Sequence, residues 1–200
     1  MNFQQLVNAV GDDLNRTNLT AQCSDAVVMA IRHYDHRPWW FQDGSRSFTL
    51  TATTSVYPLP STFRKMDYLE VAITSGNWQE IVETDYDTVK HMLEGNAPTG
   101  QPSKYVVRNT DLIVAHQPAS EYHARMYFTQ SLVDHTASAS SSWTTDAKDL
   151  IRASAAKTVA ARTMHDIELA QLMAEIEQSE FVRLVNENEK RTTTNKVKPC

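Results

Sequence analysis

Few residues in this chain have the types and spacing that chemistry needs. His33, Asp35 and His36 cluster at the end of a predicted second helix and offer zinc-type donors. No fourth ligand stands near them in sequence, so they read as solvated polar residues closing a helix. His116 and His123 flank a predicted turn and would meet across a hairpin, while His135 falls in a polar stretch. The carboxylate pairs Asp85/Asp87 and Glu187/Glu189 invite an acid–base reading. A helix start and a solvated helix face explain them better. Lys104, Arg108 and Arg125 would suit a phosphate backbone, but the apolar residues interleaved with them fit the outer face of a sheet. GxSxG, HExxH, P-loop and GxGxxG patterns are absent. Five glycines leave no phosphate-cradling loop. The expectation is a protein with no catalytic site, no metal and no cofactor.

Charge narrows the class further. The net charge of −5 argues against a broad grip on nucleic acid. It is concentrated in residues 166–190, where Asp166, Glu168, Glu175, Glu177, Glu180, Glu187 and Glu189 face only Arg183 and Lys190. The last ten residues reverse the sign, with Arg191, Lys196 and Lys198 and no acid. No apolar run approaches the roughly 18 residues of a membrane span. The first residues show neither a basic region nor an apolar run, so no signal peptide is expected. Two cysteines, Cys23 and Cys200, fit a reducing compartment.

The elements that must position these residues follow from periodicity. Phe3, Leu6, Val7, Val10 and Leu14 make the stripe of a first helix. Residues 15–18 break it, and Asn18 or Thr20 caps a second helix running to about Tyr34, which Pro38 ends. Trp39-Trp40-Phe41 reads as a core anchor, with a partner-binding patch as the functional alternative. Strands are predicted around Phe48 and Leu50, over residues 66–73 and over residues 78–82. A short helix capped by Thr84 follows. Residues 98–129 read as an antiparallel meander: Tyr105–Val107, Leu112–Val114, then Tyr122, Ala124, Met126 and Phe128 at period two. Residues 137–142 are a polar linker. A third helix over about residues 147–162 has a small-residue face. Asp166 caps a last helix reaching about Lys190, about 35 Å long.

The predicted fold class is α+β: a four-helix body of two N-terminal and two C-terminal helices, with an inserted antiparallel β region. The body takes residues 1–38 and 143–191. The β region, with one short helix, takes 39–136. Residues 192–200 form a flexible C-terminal arm, because RTTTNKVKPC has one large apolar residue, Val197, and cannot bury enough surface to fold alone.

This order of elements resembles the head-to-tail adaptor (connector) proteins of short-tailed and related tailed phages. Four passages carry the resemblance. Leu14-Asn15-Arg16-Thr17-Asn18-Leu19-Thr20 resembles the family's first interhelical loop. Tyr57-Pro58-Leu59-Pro60-Ser61-Thr62-Phe63 with Tyr68-Leu69-Glu70-Val71 resembles its passage into a strand. Gly100-Gln101-Pro102-Ser103-Lys104-Tyr105 with Leu112-Ile113-Val114 resembles its hairpin, and Tyr122–Phe128 the strand after it. The Ser-rich linker and the acidic last helix depart from the family pattern.

The resemblance implies a structural virion protein of the phage neck, made in the host cytoplasm. It implies a homo-oligomeric ring, a dodecamer, beneath the portal protein, joined to a tail or nozzle protein. Double-stranded DNA would pass through without sequence-specific binding, and no membrane is involved. The arm residues Arg191, Lys196, Val197 and Lys198 would bind the portal. Glu175, Glu177, Glu180, Glu187 and Glu189 would face the channel. Pro98, Gly100, Pro102 and Asn109 would sit in tail-facing loops. Two other classes stand beside this one: a small peptidoglycan hydrolase on the same scaffold using a last-helix glutamate as acid, and a generic interaction module. A zymogram separates the hydrolase from the adaptor.

Overall fold

The computed structural model describes residues 1–73, 76–94, 99–132 and 140–194. The chain divides into two compact units. One is helical, formed by Met1–Phe41 and Leu132–Cys200; the other is a sheet unit, Gln42–Ser131.

In the helical unit, α1 (Phe3–Asp13) starts with a capping box: the Asn2 side chain accepts from the Gln5 N–H at 2.8 Å, and the Gln5 side chain accepts from the Asn2 N–H at 2.9 Å. It ends where Asn15 turns into the left-handed region, at φ 49°. There the Arg16 N–H donates to the Gly11 carbonyl at 2.9 Å and the Asn15 N–H to Asp12 at 3.0 Å, which satisfies two of the helix's last carbonyls. α2 (Thr20–Asp35) begins at Leu19, with no side-chain cap. α4 (Ser142–Thr145) is a single turn that buries Trp143 completely. α5 (Lys148–Val159) runs into a π-helical turn, Ala160–Met164, which His165 closes at φ 55°. Asp166 then caps α6 (Ile167–Thr194), accepting from the Leu169 N–H at 3.0 Å. At 28 residues, α6 is about 42 Å long. Leu6, Val27, Ile31, Ile151, Ala155 and Leu184 form the centre of this unit's core. The run Trp39-Trp40-Phe41 is part of it. Trp39 and Phe41 stand edge-on to Trp143, at 6.4 and 5.1 Å between ring centroids, and Trp39 stands edge-on to Phe181.

The sheet unit has its own core, centred on Leu50, Leu69, Val71, Leu112, Val114 and Met126. Its strands are β1 (Asp43–Leu50), β2 (Val56–Pro58), β3 (Phe63–Ala72), β4 (Gln79–Glu83), β5 (Thr99–Gly100), β6 (Lys104–Arg108), β7 (Asp111–Ala115), β8 (Gln117–Pro118) and β9 (Tyr122–Gln130). Seven of them pair in the order β1-β9-β3-β4-β6-β7-β2, and β5 and β8 make a separate parallel pair. α3 (Tyr86–Leu93) lies between β4 and β6 in sequence, capped by Asp85 rather than Thr84: the Asp85 carboxylate accepts from the Thr88 N–H at 2.8 Å. These bonds to Thr88 hold the carboxyl below its ordinary value.

The predicted four-helix body with an inserted antiparallel region is corrected on two counts. Among the described residues there are six α-helices, and a seven-stranded sheet with its own core is a major central part of the chain. The extra helix of the helical unit is α4. One turn is too short to show a 3.6-residue period, so residues 143–145 fall within the predicted helical body without being read as a helix of their own. The sheet is also mixed. The crossover through α3 brings β6 back parallel to β4, pairing Val82 with Lys104 and Glu83 with Tyr105. The predicted meander survives only as the β6–β7 hairpin. β9 leaves it and lies between β1 and β3, where a nine-residue strand finds partners of matching length. β7 has only five residues and pairs with β6 and β2.

Candidate interaction surfaces

The densest polar cluster of the helical unit surrounds Glu177, which is only 8% exposed. The Tyr34 hydroxyl donates to one carboxylate oxygen at 2.8 Å, and the Lys157 ammonium pairs with the other. Burial pushes the Glu177 carboxyl up. The hydrogen bonds from Lys157, Ser154 and Tyr34, with the Lys157 charge, outweigh that and hold it below its ordinary value. Burial and the same carboxylate push the Tyr34 hydroxyl up. An acid held ionised at neutral pH has no proton to give, so this cluster suits fastening α6 to α2 and α5 rather than general-acid chemistry.

The sign of its pH dependence follows. A carboxyl whose folded value lies below the ordinary 4.5 adds stability above about pH 4.5 and loses it as pH falls through the folded value. Glu177→Gln should cost about 1–3 kcal/mol at pH 7, a figure reduced because the Lys157 side chain is 35% exposed. The gap between wild type and variant should narrow on acidification below pH 4.5, measured as thermal midpoints across pH. A gap constant from pH 7 to pH 3 would show that the ion pair contributes nothing.

The other acids of α6 are differently placed. Glu180 bonds Arg183 at 2.7 Å, and Glu187 pairs with Arg191 and, at 3.9 Å, with Arg183. Glu175 and Glu189 are exposed. Arg191 is not part of a free tail. It lies within α6, which runs on through Thr194, and its guanidinium sits 4.5 Å from the centre of the Trp40 ring. Asn188, one turn earlier, accepts from the Trp40 N–H at 2.8 Å and donates to the Pro38 carbonyl at 3.4 Å. The end of α6 is thus tied to the segment that follows α2. Lys196, Val197 and Lys198 lie outside the described residues, as does Pro98.

Among the loop candidates, Gly100 pairs with Pro118 in the small parallel ladder, and Pro102 is buried. Asn109 is exposed at φ 55°, in the two-residue loop that joins Arg108 to Asp111. Asparagine tolerates that left-handed conformation well. His116 and His123 do not meet. His116 faces Ser103 at 3.4 Å, and His123 lies in β9 between Thr49 and Ala72. Two of the candidate basic residues of the sheet unit lie on separate aromatic faces: Arg108 stands 3.8 Å from the Tyr86 ring centre and Arg125 4.2 Å from that of Trp78. Among the described residues no group of three His, Cys, Asp or Glu is placed to hold a metal. Nor is any helix there long and apolar enough to cross a membrane.

Sequence reasoning misses the pairs that span long stretches of chain: Lys157 with Glu177, Arg152 with Asp13, and Asn188 with Trp40. Local pairs such as Glu187–Arg191, Arg183–Glu187 and Lys90–Glu94 do carry a spacing signal. The helical unit also holds two open clefts along α6. One, of about 550 Å³, is lined by residues of α2, the segment just after it, α5 and α6, among them His33, Arg37, Lys157 and Phe181. The other, of about 290 Å³, is lined from α1, α5 and α6 by Asp13, Asp149, Arg152, Ile176 and Glu180.

A family model described as SU10 adaptor protein matches residues 1–198, and the chain belongs to that family. Comparison with curated proteins gives no match. Membership supports the role of a phage adaptor, a structural connector of the virion neck with portal and tail proteins as its partners.

Proposed function

We propose that this chain forms a dodecameric ring beneath the portal of a short-tailed or related tailed phage. The ring joins capsid to tail, and duplex DNA passes through its centre unread. The family match over residues 1–198, which takes in both compact units, is the observation that carries this reading. The chain is made in the host cytoplasm and ends in the neck of the virion. The β6–β7 loop at Asn109 and, from the other end of β6, Gly100 and Pro102, with Pro98 before them in sequence, are assigned to the tail side. The C-terminal segment with Arg191, Lys196, Val197 and Lys198 belongs to the portal side. Glu175 and Glu189 are the exposed acids best suited to a channel wall, where carboxylates repel sliding DNA within the screening length of about 8 Å.

A reconstruction of the virion neck tests this. It should show a closed ring of this chain between portal and tail. Finding the chain elsewhere in the particle, or in no particle, would overturn the proposal. The isolated protein should also fail to bind duplex DNA at micromolar concentration, and salt-dependent binding of that strength would count against a repelling channel wall.

A further inference from the structure

The two clefts along α6 are opposite in sign. Ile176 and Gln178 are two positions apart and therefore lie about 160° apart around the helix. Ile176 lines the acidic cleft and Gln178 the basic one. In the basic region, Glu177 is spent on Lys157, which leaves the exposed Arg37 and Arg162 as surplus charge, with His33 and His36 at the rim. In the acidic region, Arg152 is spent on Asp13 and Arg183 on Glu180. Asp149 and the exposed Asp12, both bearing on Arg152, remain as surplus. Each region also presents apolar surface to solvent. Met29, 48% exposed, lines a pocket that adjoins the basic cleft and shares His33, Lys157 and Glu177 with it. On the acidic side Ile176 is 41% exposed, with Leu172 at 52% one turn before it.

We propose that these regions are the two halves of one contact: the acidic flank of one copy docks into the basic cleft of the next. The occupant of the cleft is a second copy of this chain. The inference rests on the ring-forming reading above and assigns its interface. Complementary sign and facing apolar patches argue for it, because two different patches of one chain that fit each other make a head-to-tail contact. Repeated with a rotation that divides the full turn, that contact closes a ring rather than running on as a filament. The rim charges set register and speed of encounter, so assembly weakens as salt rises, while Met29, Ile176 and Leu172 supply the burial.

Two surface substitutions test it on the full chain with portal protein present. Arg162→Glu spoils the basic half and Ile176→Glu the acidic half; circular dichroism checks that both fold, and Arg162→Ala with Leu172→Ser serve as gentler replacements. Sedimentation should show the wild type in multi-copy assemblies. Each variant alone should stay a single copy to roughly tenfold higher concentration or beyond. An equimolar mixture should give a two-chain complex and nothing larger, since each variant keeps one intact half and the two spoiled halves repel. Variants that assemble like wild type overturn this interface and leave the ring reading standing. A wild type that stays a single copy even with portal overturns both.

Discussion

Trp143→Ala should destabilise the helical unit by about 3–5 kcal/mol. The indole is fully buried and meets Trp39 and Phe41 edge-on, so it closes the aromatic cluster in which the segment after α2 is anchored. Removing it opens a cavity among rigid rings that cannot collapse to fill it, and costs the edge-to-face contacts as well. The indole N–H finds no hydrogen-bond partner among the described residues, a cost the native side chain already bears. Trp143→Phe therefore removes an orphan donor along with some volume and should cost far less than alanine. Denaturant unfolding of the two variants checks this. Equal losses would mean that volume at this position is not what holds the cluster together.

Deletion of residues 192–200 should leave folding and thermal midpoint close to wild type but abolish assembly onto portal-bearing heads. The physical basis is the position of the anchors. Asn188 and Arg191, which tie α6 to Pro38 and Trp40, both remain, while the deletion removes the last residues of α6 and a polar, basic segment with little apolar surface. Each such segment offers weak contacts by itself, which multiply when many are presented by one ring. Complementation of phage lacking the chain reads the result. If the truncated protein still fills the neck and retains DNA in the head, the portal contact lies elsewhere.

How far the sequence speaks depends on the range of the physics. The stripe Phe3, Leu6, Val7 and Val10, the break at Asn15 and the cap at Asp166 are local, and each is visible as periodicity or cap chemistry. The period-two alternation of Tyr122, Ala124, Met126 and Phe128 shows that β9 has one buried face. It cannot show which strands β9 lies between, because pairing is decided by length and register across the sheet. A single turn carrying Trp143 leaves no period to detect, and so the short helix that completes the aromatic cluster is not visible in the sequence as an element of its own. Electrostatics divides the same way. The run of acids along α6 is obvious, yet their division between the buried Glu177, the paired Glu180 and Glu187, and the exposed Glu175 and Glu189 depends on partners such as Lys157 that only folding brings near. The opposed signs of the two clefts arise likewise from residues of α1, α2 and α5 that sequence distance hides.

The mass of the native assembly, measured with and without portal protein, tests the central claim most directly. The account predicts a homo-oligomer of this 22.6 kDa chain that gains a portal complex when portal is added, at a ring stoichiometry of twelve copies. A chain that remains a single copy under both conditions, at the concentrations reached in an infected cell, would contradict it.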